Sequence, residues 1–210
     1  MSALPPGVER RDVEGEHRLT TPGMPVYGEP TVDGRRVWDA HRSKLAAMLE
    51  REMPVRFDGE SRVLYLGAGA GTTVSHLADV CRVVYAVEFA PRAMRELLSV
   101  AADRAGVVPL LTDARAPETY GHVVESDCDL LVQDVATRGQ AAVALENRRF
   151  LADDGQLALA IKARSEDVTA DPAATFDRVL DELAGTYRVE ATADLAPFHA
   201  DHLGVVASPR

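Results

Sequence analysis

A repeat of short apolar runs from residue 62 onward constrains the fold of this chain more than any other feature. The runs are continuously apolar and rich in β-branched residues, and they lie at 63–66, 83–87, 107–111, 130–132 and 157–161. Helix-like segments alternate with them, at 73–80, 91–104, 139–150 and 172–184. Short strands of this composition are typical of a parallel sheet that is buried on both faces. The sequence therefore predicts an α/β, doubly wound fold.

The two ends of the chain depart from this repeat. Near the C-terminus, the apolar runs 187–193 and 203–207 have no helix between them. We therefore expect a mostly parallel sheet of seven strands with an antiparallel last strand. Near the N-terminus, turn signals such as Asp33-Gly34 predict a small β-rich piece, and an apolar stripe predicts a helix over 38–52. The prediction is a β-rich region at 1–36 and a Rossmann-like domain at 37–210.

A doubly wound sheet binds its ligand outside the carboxyl ends of its strands, near the point where the strand order reverses. The first strand ends there in Gly67-Ala68-Gly69-Ala70-Gly71-Thr72-Thr73. Small residues let the backbone approach a ligand, and the amides that open the next helix face it. Nicotinamide, flavin and S-adenosylmethionine sites all use such a turn, so the glycines alone do not choose among these cofactors.

Three carboxylates help to distinguish among these cofactors. Glu88, Asp113 and Asp134 come at the ends of the second, third and fourth strands. An acidic residue at the end of the second strand accepts hydrogen bonds from the ribose hydroxyls of an adenosine. In methyltransferases a carboxylate after the third strand typically contacts the adenine amino group. A nicotinamide site requires only the second-strand carboxylate, so the three together favour S-adenosylmethionine as the cofactor.

Lysine is nearly absent from this chain. Only Lys44 and Lys162 are lysines among 23 Lys and Arg residues, and the net charge is −10. This composition is typical of a halophile, in whose molar salt the Debye length is about 3 Å. Arginine is effectively never deprotonated, whereas lysine can be, so the two lysines are candidates for chemistry. Lys162 follows the fifth strand and should lie at the same rim as Asp134, because the fourth and fifth strands are neighbours.

Taken together, the motifs resemble archaeal fibrillarin, the methyltransferase of the C/D-box guide RNA particle. The resembling blocks run in order over roughly residues 24–207. They are Val26-Tyr27-Gly28-Glu29, Arg42-Ser43-Lys44-Leu45-Ala46-Ala47, Tyr65-Leu66-Gly67-Ala68, Gly71-Thr72-Thr73-Val74-Ser75-His76, Val84-Tyr85-Ala86-Val87-Glu88-Phe89, Asp113-Ala114-Arg115, Asp134-Val135-Ala136, Ile161-Lys162-Ala163 and Asp201-His202. The resemblance implies a Rossmann-like methyltransferase fold and methylation of ribose 2′-hydroxyls in rRNA and tRNA.

The resemblance also implies the site residues. The cofactor-binding positions would be Gly67, Ala68, Gly69, Gly71, Thr72, Thr73, Glu88, Phe89, Asp113, Ala114, Asp134, Val135, Ala136 and Thr137. The catalytic set of the family maps onto Lys44, Asp134, Lys162 and His202, and no metal is implied. We interpret neutral Lys162 as the base, oriented by Asp134 and Lys44 and supported by His202. The family commonly has Ala-Ser in place of Gly69-Ala70 and Gln in place of Thr137, so this chain departs from it there.

The resemblance further implies partners. These are a Nop-domain scaffold, a kink-turn-binding protein, and a guide RNA that pairs with the target rRNA or tRNA. Since recognition would be delegated to base pairing, and since the chain is acidic, we expect the isolated chain to bind RNA weakly.

Three other functions remain open from the residues alone. They are a nicotinamide-dependent oxidoreductase, a cofactor-binding subunit without catalysis, and a stand-alone methyltransferase with another substrate. The sequence has neither a run of about 18 apolar residues nor a secretory signal pattern. Cys81 and Cys128 have no metal-ligand spacing. We therefore expect a cytoplasmic protein with reduced thiols and no membrane contact.

Overall fold

The computed structural model describes residues 3–210 and begins with a small antiparallel sheet. Its strands, in the spatial order β1-β2-β4-β3, are β1 (Glu9–Val13), β2 (Glu16–Pro22), β3 (Thr31–Val32) and β4 (Arg35–Val37). The predicted hairpin at Asp33-Gly34 is confirmed, and both residues have positive φ, at 50° and 74°. The sequence does not predict the β1–β2 hairpin, because β1 is mostly exposed and lacks an apolar face.

The first helix, α1 (Lys44–Glu50), is shorter than the predicted 38–52, and that prediction is wrong for residues 38–43 and 51–52. Ser43 caps the helix, and its hydroxyl accepts a hydrogen bond from the Ala46 amide at 3.1 Å. Trp38 directly follows β4, and its amide donates to the Leu19 carbonyl of β2 at 2.8 Å. Its buried ring stacks on His76. The apolar side chain of Trp38 therefore fills the core beside the small sheet and is not part of a helical stripe.

The main sheet follows the predicted alternation. Its strands are β5 (Arg62–Leu66), β6 (Val83–Glu88), β7 (Val107–Leu111), β8 (Cys128–Gln133), β9 (Leu151–Lys162), β10 (Tyr187–Asp194) and β11 (His202–Pro209). Its helices are α2 (Thr72–Ala78), α3 (Pro91–Ala102), α4 (Gln140–Asn147), α5 (Ala163–Glu166) and α6 (Pro172–Leu183). The predicted helix over 139–150 becomes α4 followed by a 3-10 turn, Arg148–Phe150.

The strand order is β10-β11-β9-β8-β5-β6-β7, and the five strands β5 to β9 pair in parallel. β11 is antiparallel to both of its neighbours, which confirms the seven-stranded sheet with an antiparallel last strand. From β5 the chain moves outward through β6 and β7 and then returns to the other side of β5 as β8. The loops after β5 and β8 therefore diverge, and a crevice opens at the carboxyl ends of these strands.

Both faces of the sheet are buried. Along β5, Val63 and Tyr65 enter one hydrophobic cluster, while Leu64 and Leu66 enter the other. The small N-terminal sheet contributes Leu19 to the first cluster. The division into regions 1–36 and 37–210 stays a prediction, and in the structure the two regions share this cluster.

Candidate active site

A cavity of about 430 Å³ lies at the carboxyl ends of the parallel strands, beside the reversal of strand order. Ligand sites of small molecules typically measure roughly 300–1,000 Å³. The cavity is lined by Arg42, Lys44, Tyr65, Gly67, Ala68, Gly69, Ala70, Thr72, Thr73, Val87, Glu88, Phe89, Thr112, Asp113, Ala114, Arg115, Asp134, Val135, Ala136, Thr137, Val143 and Lys162. Every predicted cofactor-binding residue is in this lining except Gly71, and every predicted catalytic residue except His202.

The glycines of the loop between β5 and α2 serve different purposes. At Gly67 (φ +83°) a Cβ would lie 2.8 Å from the carbonyl oxygen of Asp134, so the loop can cross the end of β8 only with glycine there. At Gly71 (φ +89°) a Cβ would lie 2.8 Å from Leu97 of α3, which explains this glycine by helix packing. At Gly69 (φ +57°) nothing lies within 4 Å of the Cβ position. Only Gly69 leaves open space for a ligand.

Glu88, the last residue of β6, is 7% exposed and is held by the main chain on both oxygens. Oε2 accepts from the Gly69 amide at 2.8 Å, and Oε1 accepts from the Ala90 amide at 2.7 Å. A carboxylate has about four lone-pair sites, so two remain for hydroxyl donors. The glycine loop and this carboxylate thus form one rigid unit of the cavity wall.

Asp113 and Phe89 lie at another part of the wall. The Arg115 guanidinium donates to both Asp113 oxygens, the shortest contact being 2.6 Å. These bonds outweigh burial and hold the pKa of the Asp113 carboxyl below its ordinary value, so this group is an ionised acceptor at neutral pH. Phe89 is 72% exposed although it lines the cavity. An exposed aromatic ring beside an acceptor suits a planar base with an amino group.

The structure brings the two lysines and Asp134 together. Lys162 Nζ lies 2.7 Å from Asp134 Oδ1 and donates to the Asp134 main-chain carbonyl at 2.8 Å. Lys44 Nζ lies 3.4 Å from the same Oδ1. The three side chains are only 12–23% exposed. One carboxylate therefore faces two amines at the edge of the cavity, where water is partly excluded.

His202 lies next to this cluster but outside the cavity lining. It pairs with Lys162 in the β9–β11 register. Its Nδ1 is 2.6 Å from the carbonyl of Ala200, which can only accept, so Nδ1 carries the proton and Nε2 is the free acceptor of the neutral ring. Burial lowers the pKa of His202 despite that hydrogen bond, so the neutral form prevails at pH 7.

The sequence did not predict several residues of the lining, among them Arg42. Its guanidinium lies 5.6 Å from the ring centroid of Tyr27, and the Tyr27 hydroxyl donates to the carbonyl of Ala70 in the glycine loop. Arg42 and Tyr27 both lie in blocks that carry the resemblance, and that position is the only signal for them in the sequence.

These features together fit an adenosine that carries a charged methionine chain. The open space at Gly69, the free lone pairs of Glu88, the ionised Asp113 and the exposed Phe89 supply the contacts that ribose and adenine require. Among residues 3–210, no group of three or more His, Cys, Asp and Glu side chains is arranged to hold a metal ion. The same residues include no helix that is long and apolar enough to cross a membrane.

The fold and this site define an S-adenosylmethionine-dependent methyltransferase of the Rossmann-like class. A family model described as Fibrillarin matches residues 8–210, and the chain belongs to the fibrillarin family. It is 62% identical to the fibrillarin-like rRNA/tRNA 2′-O-methyltransferase of Halobacterium salinarum, over 99% of this chain and 100% of that relative.

Solved structures agree with this assignment. The chain is similar to one in a fibrillarin/Nop5p complex, with a TM-score of 0.92 and 38% identity over 99% of each chain. It is also similar to Aeropyrum pernix fibrillarin with natively bound S-adenosylmethionine, with a TM-score of 0.81 and 41% identity over 95% of this chain and 97% of that one. The nicotinamide-dependent alternative thus finds no support, while a relative of the same family holds the predicted cofactor.

Proposed function

We propose that this protein transfers the methyl group of S-adenosylmethionine to ribose 2′-hydroxyls of rRNA and tRNA, as the catalytic subunit of a guide RNA particle. The observation that carries the proposal is the Lys44–Asp134–Lys162 cluster at the edge of the cofactor cavity. All residues that line this cavity come after residue 36, so we assign the chemistry to 37–210 and regard 1–36 as a structural appendage.

The bound cofactor supplies a methyl carbon attached to a positively charged sulfur. The protein must therefore align a 2′-oxygen with that carbon and take up the hydroxyl proton. Lys162 is placed for the second task. Its Nζ donates to the Asp134 main-chain carbonyl at 2.8 Å and lies 2.7 Å from the Asp134 carboxylate, and the remaining position is left for the 2′-oxygen. In the neutral amine that position is a lone pair, which accepts the proton.

Asp134 and Lys44 orient Lys162 and the incoming oxygen. Both amines lie near the same carboxylate oxygen, at 2.7 Å for Lys162 and 3.4 Å for Lys44, so Asp134 holds the two lysines side by side. His202, neutral and with Nε2 free, lies opposite Lys162 on β11 and supports this network. In a closed site such positioned groups contribute roughly 10²–10⁴-fold to the rate.

We propose further that the chain works docked on a Nop-domain scaffold. The Nop5p complex of a relative that matches almost all of this chain supports such a partner. A guide RNA would select the target by base pairing, and a kink-turn-binding protein would hold the guide. Such a division of roles suits a chain of net charge −10, because an acidic protein has little electrostatic attraction to RNA by itself. The particle would act in the cytoplasm, where an archaeal cell makes its rRNA and tRNA.

The test is transfer of labelled methyl in the reconstituted particle at high salt, with and without the matching guide. We expect guide-dependent label on one ribose. Lys162→Arg should keep cofactor binding, measured by calorimetry, and lose transfer, because arginine keeps the positive charge but cannot take the proton. Arg51→Lys, at the exposed end of α1 opposite Lys44, is the matched control and should keep the wild-type rate. Near-wild-type transfer by Lys162→Arg would refute the assignment of the base.

A further inference from the structure

Gln140, a residue outside the cavity lining, holds the main chain of Lys162. Gln140 is the first residue of α4 and is fully buried. Its side-chain Nε2 donates to the Lys162 carbonyl at 3.1 Å, and its Oε1 accepts from the Lys162 amide at 2.9 Å. One side-chain amide thus satisfies both main-chain groups of the proposed base.

Gln140 pairs with β9 at a position where the neighbouring strand β8 no longer does. The parallel ladder between β8 and β9 ends at the pair Gln133 and Leu159, three residues before Lys162 along β9. The edge of Lys162 that faces β8 therefore has no strand partner, while its other edge faces His202 of β11. The Gln140 amide presents a donor and an acceptor on one edge, so it pairs with both main-chain groups of Lys162 where β8 has turned away.

Gln140 is itself fixed from two other elements. Its main-chain amide and that of Gly139 both donate to the buried carboxylate of Glu166. Its main-chain carbonyl accepts from the side chain of Gln133 at 2.7 Å. Gln133 is the residue directly before Asp134. A continuous set of hydrogen bonds therefore joins the end of β8, the start of α4 and the end of β9.

We propose that Gln140 is a positioning residue for methyl transfer, which sets the main chain of Lys162 so that its Nζ reaches both the carboxylate and the carbonyl of Asp134. The inference rests on the proposed function, in that it takes Lys162 as the base. The contact geometry of a reacting group is strict, and a displacement of about 1 Å can lower a rate by about 10²-fold. Without Gln140, the main-chain amide and carbonyl of Lys162 both lose their hydrogen-bond partner.

The first experiment compares Gln140→Leu with Gln156→Leu in the reconstituted guide particle. Gln156 is the matched control because it is buried on β9, the strand of Lys162, and its side chain also holds main-chain groups. It accepts from the Arg56 amide at 2.9 Å and donates to the Pro54 carbonyl at 3.0 Å, and it does not line the cavity. We expect Gln140→Leu to lower the single-turnover rate by about 10²-fold at saturating cofactor and RNA. The dissociation constant of S-adenosylmethionine should stay near the wild-type value, and Gln156→Leu should keep the wild-type rate. Equal rates for the two variants, or a loss of Gln140→Leu activity that saturating cofactor restores, would overturn the proposal.

A second variant keeps the shape of the side chain in case Gln140→Leu folds poorly. In Gln140→Glu the protonated carboxylic acid has one acceptor and one donor, as the amide does, and the ionised form has no donor for the Lys162 carbonyl. We expect the ratio of its rate to that of the wild type to fall as the pH rises. A ratio that is flat with pH would contradict the positioning role.

Lys162→Arg separates the two proposals. If Lys162→Arg is inactive and Gln140→Leu is fully active, the base assignment stands and the positioning role fails. If Lys162→Arg is active, the base assignment fails, whatever the Gln140 variants show.

Discussion

Gly67→Ala is the substitution whose effect follows most directly from the geometry of the site. The new Cβ would lie 2.8 Å from the carbonyl oxygen and 2.9 Å from the carbonyl carbon of Asp134. The same oxygen accepts the hydrogen bond from Lys162 Nζ, and the Asp134 amide donates to the Leu66 carbonyl at 2.9 Å. Asp134, the residue that must move, is therefore held through both its amide and its carbonyl, and it belongs to the proposed catalytic cluster.

Two effects lower the free energy of unfolding of Gly67→Ala. An L side chain at positive φ costs about 1–2 kcal/mol. Reaching ordinary contact at 3.4 Å requires a shift of about 0.6 Å (3.4 − 2.8), against backbone that cannot rotate away. Overpacking of this kind costs about 1–3 kcal/mol. Gly69→Ala carries only the first cost, because its Cβ meets nothing within 4 Å. The free energy of unfolding should therefore be lower in Gly67→Ala than in Gly69→Ala by about 1–3 kcal/mol.

The assay is unfolding of the two variants and the wild type at high salt, without cofactor. For a domain of this size, 1 kcal/mol corresponds to about 2–4 °C in Tm, so the two variants should differ by about 2–12 °C. Gly67→Ala should also transfer methyl groups more slowly at saturating cofactor, because the substitution displaces the Asp134 carbonyl oxygen that accepts from Lys162 Nζ. Equal Tm values for the two variants would show that the loop relaxes freely and would refute the steric argument.

Three further predictions concern other parts of the structure. Glu88→Gln should weaken binding of S-adenosylmethionine roughly 10- to 100-fold in calorimetry, since hydrogen bonds to a charged group contribute about 1.5–3 kcal/mol; unchanged affinity would remove Glu88 from the cofactor site. Asp79→Ala should lower the free energy of unfolding in denaturant by about 3–5 kcal/mol, because Asp79 Oδ2 lies 2.7 Å from the guanidinium of the fully buried Arg36; a loss below 1 kcal/mol would contradict this. Burial lowers the pKa of His76 well below its ordinary 6.5, so stability should be full above pH 6.5 and should decrease as the pH falls toward the folded-state pKa. His76→Gln should flatten that part of the stability profile, and an unchanged slope would assign the acid sensitivity to other groups.

The arrangement of Asp134 and Lys162 could be predicted because it depends only on local patterns and a general rule. Lys162 directly follows an apolar run and Asp134 lies two residues after one, and parallel neighbouring strands bring their carboxyl ends to one edge. The same reasoning placed Glu88 and Asp113 on the cavity wall. Composition pointed to Lys44 and Lys162 independently, since they are the only lysines of the chain.

Other parts of the site were not accessible to this reasoning. Trp38 follows the spacing of a helical stripe, yet it fills the core beside the small sheet, because apolar spacing does not state which partner buries a side chain. In the sequence, Gly67, Gly69 and Gly71 all suggest a backbone that approaches a ligand. Only the structure shows that Gly67 packs against the end of β8 and Gly71 against α3, while Gly69 faces open space. Gln140, a polar residue at the start of a helix, is typical of a solvated position.

The sequence by itself determined the α/β class, the alternation of strands and helices from β5 onward, and the strand-end positions of Glu88, Asp113, Asp134 and Lys162, because periodicity and strand-end position are properties of neighbouring residues. Tertiary structure alone decided that Trp38 packs on His76 beside the small sheet, that His202 faces Lys162 from outside the cavity, and that Gln140 pairs with the main chain of the proposed base. Each of these depends on contacts between segments distant in the chain. Such contacts are fixed by steric fit and by the pairing of buried polar groups, neither of which leaves a periodic signal in the sequence.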